Sequence, residues 1–267
     1  MQQGTKSLDG ALKLLGFFIP HRREWRVTDL AQAAGLHKSQ VSRILRTFEA
    51  YGFLEKNDNY YELGRAFTTY ATLVKTERSL VEVARPIMER LSKETQATVM
   101  LKAREQEETV TIDRVESRHF LRLAYPVGLR LPLNASSSGK VFLAYMSPED
   151  RSRLYRTGCF RKLTRRTKTK LAPLERDISL VLRKGFAVSD EEHLLGARGI
   201  AAPIFNAGGA VEATLALGLP TVLLPGKMIE QVGISVRKAA EEISSLLDDM
   251  PRRSYTHKKP RMVAVRR

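Results

Sequence analysis

The chain has 267 residues, 43% hydrophobic and 28% charged, with 45 Lys and Arg against 29 Asp and Glu for a formal charge of +16. The apolar share supports packed cores, the length allows two domains, and a field of that sign gathers polyanions, so nucleic acid or an acidic membrane surface is the natural partner class. No apolar run approaches the ~20 residues that cross a bilayer.

The lone cysteine, Cys159, excludes an internal disulfide and fits a reducing compartment. The first ten residues lack the apolar core of a secretion signal, so a cytoplasmic protein is expected. The five histidines, at 21, 37, 119, 193 and 257, have no partner three or four residues away, so neither a metal site nor a cofactor is expected. Charge is uneven: residues 1–78 hold 12 basic and 8 acidic groups, and the last 16 residues hold 7 basic and none acidic.

In chain order, Ser7 opens a helix with an apolar side of Leu8, Leu12, Leu15 and Ile19, ended by Pro20. A short extended piece follows around Trp25–Val27. Thr28 then caps a helix with Leu30, Ala31 and Ala34 inward, and Gly35 supplies the left-handed residue that ends it. Leu36 falls between this helix and the next, which sets Val41, Ile44, Leu45 and Phe48 at i, i+3, i+4 and i+7. The other side of that helix, Ser39, Gln40, Ser42, Arg43, Arg46 and Thr47, has no acid and consists of donors suited to bases and phosphates. An ordinary amphipathic pair has the same spacing. The segment after Gly52 separates the two readings: β-prone runs Phe53–Lys56 and Tyr60–Leu63 flank Asn57-Asp58-Asn59, and three helices followed by a hairpin is the winged form of the helix-turn-helix. The expected DNA-binding set is Thr28, Lys38, Ser39, Gln40, Ser42, Arg43, Arg46, Lys56 and Asn57. Ser39, Gln40, Ser42 and Arg43 lie within reach of base edges, and Lys38 and Arg46 are placed for phosphate.

Residues 64–78 read as a linker helix. From Ser79 a helix sets Leu80, Val83, Ala84, Ile87 and Leu91 on one side, with Pro86 expected to kink it or displace its start. The period then drops to two, and Ala97–Ala103, Thr109–Val115 and Phe120–Tyr125 are predicted strands. SSSGKVFLAY starts a short helix, and Pro148–Arg156 another. The basic run 161–170 reads as a solvated loop. Pro173–Lys184 is helical, Phe186–Ser189, Ile200–Phe205 and Val211–Leu219 are strands, and a last helix covers 227–249. This order predicts an α+β fold with an antiparallel sheet. The expected domains are 1–63, the linker helix 64–78, a second domain at 79–250, and a basic, mobile tail at 251–267.

SLDGALKLL, LAQAAGLHKSQVSRIL, YGFLEK and YYELG resemble the DNA-binding half of the IclR family of bacterial transcriptional regulators. LPLNASSSGKVFLA and GFAVSDEEHLLGARGIAAPIFNAGG resemble its effector-binding half, and the likeness spans about residues 5 to 250. It implies a winged N-terminal domain, a linker helix and a GAF-like effector domain, assembled as dimers or tetramers on palindromic operators in double-stranded DNA. The implied effector set is Ser137, Ser138, Ser189, Asp190, Glu192, Gly199, Ala216 and Gly218. Gly199 stands where a cysteine or other small residue is usual, Ser189 where an acid is common, and Ala216 and Gly218 where some members carry hydroxyls. Volume in place of polar groups points to an effector with an apolar or aromatic body, an organic or aromatic acid, its polar end held by Ser137 and Ser138.

Enzymatic features are thin. SSSGK lacks the leading glycine of a nucleotide loop, and Asp190, Glu191 and Glu192 are adjacent rather than opposed. No partner for a Cys159 nucleophile can be placed, so no catalytic residue is assigned. Two rivals remain, a charge-driven architectural protein and a regulator with a vestigial pocket.

Overall fold

The computed structural model describes residues 5–18, 24–73 and 78–248, and Ile19 and the basic tail lie outside them. In the N-terminal part, α1 (Lys6–Leu15) and a 3-10 turn (Gly16–Phe18) precede α2 (Val27–Ala34) and α3 (Lys38–Ala50). The hairpin of β1 (Leu54–Asn57) and β2 (Tyr60–Leu63) follows. Leu14, Phe18, Leu30, Val41, Leu45, Leu54 and Tyr61 form one core, each aliphatic side chain contributing about 1.5–3 kcal/mol by burial. Gly35 ends α2 at φ +65, the left-handed value only glycine adopts without strain.

Two expectations are corrected here. The buried side of α1 is Leu14, and Leu8 and Leu12 are 58% and 57% exposed. Apolar residues occupy both sides of this helix, so spacing alone does not choose between them. The aromatic corner does: the Trp25 indole N–H donates to the Phe17 carbonyl at 2.9 Å, and the two rings meet edge-on at 5.9 Å. Thr28 is not the cap of α2. The helix starts one residue earlier, after Arg26, and the Thr28 hydroxyl donates to the neighbouring Asp29 carboxylate.

Trp25 exchanges backbone hydrogen bonds with Tyr61, adding a third, one-residue strand to the wing. Beyond it, α4 (Ala66–Leu73) packs against the wing's base, where Tyr70 stacks on Phe53 at 5.4 Å and Phe67 meets it edge-on. Gly64 makes that return possible, since a Cβ there would lie 2.3 Å from the Gly52 carbonyl oxygen.

The C-terminal part begins with α5 (Arg78–Thr95), which runs through Pro86 with its start undisplaced. Then come β3 (Thr98–Glu105), β4 (Glu108–Val115), β5 (Arg130–Pro132), α6 (Ser137–Ala144), α7 (Pro148–Arg156) and α8 (Leu171–Lys184). The last elements are β6 (Ala187–Asp190), β7 (Ala197–Phe205), β8 (Val211–Pro220) and α9 (Ile229–Asp248). The six strands make one antiparallel sheet in the order β5-β4-β3-β8-β7-β6. Helices α5 and α9 cover one face, burying Ile87, Leu101, Leu215, Val236 and Ile243, and α6 with α8 covers the other.

Phe120–Tyr125, predicted as a strand, is irregular. The edge of β4 is already taken, because β5 pairs with Glu108–Val110 and the backbone at Gly128 and Leu129 bonds Thr111. Phe120 is therefore left exposed and Tyr125 turns inward. The 161–170 run is the irregular, largely exposed loop that its sequence implies, and side-chain bonds fasten it down as a strap. Both Asn134 amide hydrogens are used on it, donated to the carbonyls of Arg161 and Lys168, and the Thr164 and Thr167 hydroxyls donate to the Glu191 and Glu192 carbonyls. Arg166 and Lys168 find carboxylates at Glu191 and Asp177.

Candidate DNA interface and effector cavity

In the helix-turn-helix the expected DNA-binding residues of α3 lie opposite its buried side. Val41 and Leu45 are buried, while Lys38, Ser39, Arg43 and Arg46 are exposed and Gln40 and Ser42 half-buried along the opposite side of α3. No side chain caps α3 at His37, so its first amides are available to a phosphate, the favoured anion at a helix N-terminus. Thr47 bonds back to the Arg43 carbonyl at 3.0 Å, which occupies its hydroxyl hydrogen. Exposed Thr28 sits in the first turn of α2. At the wing, Lys56 is exposed and the Asn57 amide is held by the Glu62 carboxylate.

In the second part, strand register aligns small residues beneath α6. Ser189, Gly199 and Gly218 lie in one cross-strand row, and Ala187, Ala201, Ala216 and Met100 in the next. Above them α6 starts at Ser137, capped by the Ser136 hydroxyl, which accepts from the Gly139 amide. A Cβ on Gly139 would lie 2.1 Å from the Leu133 carbonyl oxygen, so glycine lets the helix start settle against the 3-10 turn Leu133–Ala135 that precedes it. Between helix and strands is a cavity of about 20 Å³, lined by Ser137, Ser138, Ser189, Gly199 and Ala216 together with Lys102, Tyr125 and His193. That is room for about one water.

Of the implied effector residues, five therefore share the cavity wall. Gly218 lies directly under the Tyr125 ring. Asp190 and Glu192 are not among its walls. The Asp190 carboxylate accepts from Arg198 at 2.7 and 2.9 Å. Glu192 accepts from Lys140 at 2.6 Å, in a buried cluster where Lys140 also bonds Asp177 at 2.7 Å and the Val188 carbonyl at 2.9 Å. Burial alone would raise the Asp177 carboxyl, but Lys140 and Lys168 outweigh it and hold the group below its ordinary range. At Glu192 burial wins over Lys140 and pushes the carboxyl up. The cluster ties α6, α8, β6 and the strap together.

Two further cavity residues, Lys102 and Tyr125, carry no signal in the local sequence, and a third, His193, stands in the family-like stretch GFAVSDEEHLLGARG. Lys102 sits at an alternating position of β3 that reads as solvent-facing, yet it is 3% exposed, and desolvation lowers its ammonium to about 8. Burial, with the Lys102 charge nearby, lowers His193 to about 4. Burial also pushes the Tyr125 hydroxyl up, and its ring lies 5.7 Å from that of His193. The Ser138 and Ser189 hydroxyls are buried without a hydrogen-bond partner among the described residues. A larger cleft of about 640 Å³ lies at the β3–β4 turn, where Glu105 and Glu108 pair with Arg130 and Arg161. Cys159 lines it, its thiol donating to the Leu154 carbonyl and pushed up by burial.

Residues 7–58 match the IclR helix-turn-helix domain, and residues 72–245 match the family described as bacterial transcriptional regulator IclR C-terminal. The chain is 31% identical over 245 residues to the transcriptional repressor IclR of Escherichia coli K12, covering 90% of this chain and 89% of that one. It is 30% identical to the HTH-type transcriptional regulator BhcR of Paracoccus denitrificans, covering 90% and 87%. Among solved structures, an IclR homolog from Microbacterium hydrocarbonoxydans complexed with 4-hydroxybenzoate superposes with a TM-score of 0.79 at 27% identity, covering 91% of this chain and 99% of that one.

Proposed function

Because this chain belongs to the IclR family of bacterial transcriptional regulators, we propose that it binds a palindromic operator through α3 and the wing, and that a small molecule at the α6 cavity sets its affinity. The observation that carries the reading is the exposed face of α3, with Ser39, Arg43 and Arg46 and no acid before Glu49 in its last turn, in the same chain as a buried polar cavity walled by glycine and alanine.

Arg43, Ser39, Gln40 and Ser42 read base edges, while Lys38, Arg46, Lys56 and the amides at the start of α2 and α3 hold phosphates. Asn57 fixes the wing tip through Glu62. One winged module contacts few base pairs, so two copies read half-sites about 10 bp apart or at a multiple of that spacing. Leu8 and Leu12, exposed one turn apart on α1, support pairing between copies. The effector seats its polar end at Ser137, Ser138 and Ser189 and its body against Gly199, Ala216 and Gly218. A relative crystallised with 4-hydroxybenzoate supports a ligand of that shape.

The test is selection of binding sites from random DNA, then salt titration on the selected and a scrambled sequence. A regulator prefers the selected palindrome by a factor of about 10³ or more. Equal affinity for both would instead assign a charge-driven architectural role.

A further inference from the structure

Two lysines are buried in the second domain, and their surroundings are opposite. The Lys140 ammonium meets two carboxylates and a carbonyl. The Lys102 ammonium, on the cavity side of β3, has no acid within ion-pair distance among the described residues, although the side chain is 3% exposed. Asp190 and Glu192, the acids closest in sequence to the cavity residue His193, are outside its wall, Asp190 paired with Arg198 and Glu192 with Lys140. A buried charge without a counter-ion is costly, and folded proteins keep few of them outside functional sites.

What surrounds Lys102 is suited to a negative group. Ser138 and Ser189 line the same cavity with hydroxyls that have no hydrogen-bond partner among the described residues, and Thr111, paired with Lys102 across β3 and β4, has a third. The N-terminus of α6 adds its partial positive charge from the other side. Space for more than one water is held by the Tyr125 ring, which rests on Gly218 and belongs to the irregular segment between β4 and β5. That ring comes from a loop, whereas the surface beneath it is hydrogen-bonded sheet.

We propose that Lys102 is the charge-selecting residue of the effector cavity: the anionic end of the organic acid already expected there lies against the Lys102 ammonium and the Ser138 and Ser189 hydroxyls, and the ligand's body takes the volume occupied by Tyr125. The inference rests on reading this cavity as the effector site. Burial that brings Lys102 down to about 8 still leaves it largely protonated at neutral pH, so the charge is there to be met.

The experiment uses the full chain and matched pairs of probes: acetate and acetamide, pyruvate and pyruvamide, benzoate and benzamide, 4-hydroxybenzoate and 4-hydroxybenzamide. Calorimetric titration and thermal unfolding are run on the native protein, Lys102→Met and Lys102→Arg. At least one acid binds and raises Tm, while its amide binds at least tenfold more weakly. Lys102→Met loses at least tenfold in affinity for that acid and unfolds at a higher temperature than the native protein without probe, because the unmatched charge is gone. Lys102→Arg keeps the preference for acid over amide. The proposal is overturned if acid and amide bind alike, if Lys102→Met binds the acid as well as the native protein does, or if no acid in the series binds. The acid–amide comparison needs no variant, so a misfolded Lys102→Met leaves the test intact. An acid that binds through Lys102 without altering operator affinity sustains this inference and overturns the regulatory reading. An uncharged molecule that alters operator affinity from the same cavity, where the acids do not bind, does the reverse.

Discussion

The ring of Tyr125 lies on the bare backbone of Gly218, so closely that a Cβ at 218 would stand 2.4 Å from its Cε2 atom and 2.7 Å from its hydroxyl oxygen. The glycine makes the volume and the tyrosine fills it. Truncating Tyr125→Ala removes a buried aromatic and is expected to cost about 2–4 kcal/mol in urea unfolding. The same variant should bind benzoate more tightly than the native protein, because no ring has to be displaced. Tighter binding would identify Tyr125 as the ligand's competitor, and weaker binding would make it part of the wall.

Base reading is assigned to α3. Arg43→Ala should cost about 1–3 kcal/mol on the selected operator and relax preference at one base position, while Lys38→Ala weakens all sequences about equally. Fluorescence anisotropy on the operator and its single-base variants measures both. An unchanged preference profile in Arg43→Ala would place this helix wrongly.

The Lys140 cluster should behave as a buried ion network. Lys140→Met strands Asp177 and Glu192 in the interior and should cost about 3–5 kcal/mol in urea unfolding. Stability within about 1 kcal/mol of native would mean that Glu192, already raised by burial, simply takes a proton.

Stability should also depend on pH through the cavity residues. His193 is lowered to about 4 in the folded chain against 6.5 when exposed, so the unfolded state takes up a proton first as pH falls. The stability present above pH 6.5 is lost between 6.5 and 4, by on the order of 3 kcal/mol. Lys102, lowered to about 8, has the same sign in a higher window, since the folded chain gives up its proton first and stability rises from pH 8 towards 10. His193→Gln should remove the acid limb and Lys102→Met the alkaline one, each read as Tm against pH. Charges elsewhere titrate in both proteins, so the difference between native and variant isolates each group.

Much of this was legible in the sequence. The helix-turn-helix, the wing and the antiparallel strands each carry a local signal: a capping glycine, an Asn-Asp-Asn turn, a period of two. The family motifs located Ser137, Ser138, Ser189, Gly199 and Ala216, and the strand register brings them to one wall. What was illegible depends on distant packing. Leu8 and Leu12 repeat as regularly as the residues that are buried, and only the Trp25 corner decides which side of α1 faces inward. Lys102 alternates with apolar neighbours like an ordinary solvent-facing strand residue, and only α6 closing over the sheet encloses it. The basic run is exposed, as its sequence implies, but the acids that fasten it, Asp177 and Glu191, lie in other elements and could not be read locally.

The most direct measurement is the ratio of operator affinities of the full chain with and without a saturating acid effector, in the native protein and in Gly199→Leu. A Cβ at 199 would already stand 3.1 Å from the Ser137 hydroxyl oxygen, so a leucine fills the cavity. A ratio of about 5–150 in the native protein, falling to one in Gly199→Leu, is the result expected of a regulator whose DNA affinity is coupled to this site. The same ratio in both proteins would contradict the account, because the effector would then act from somewhere else.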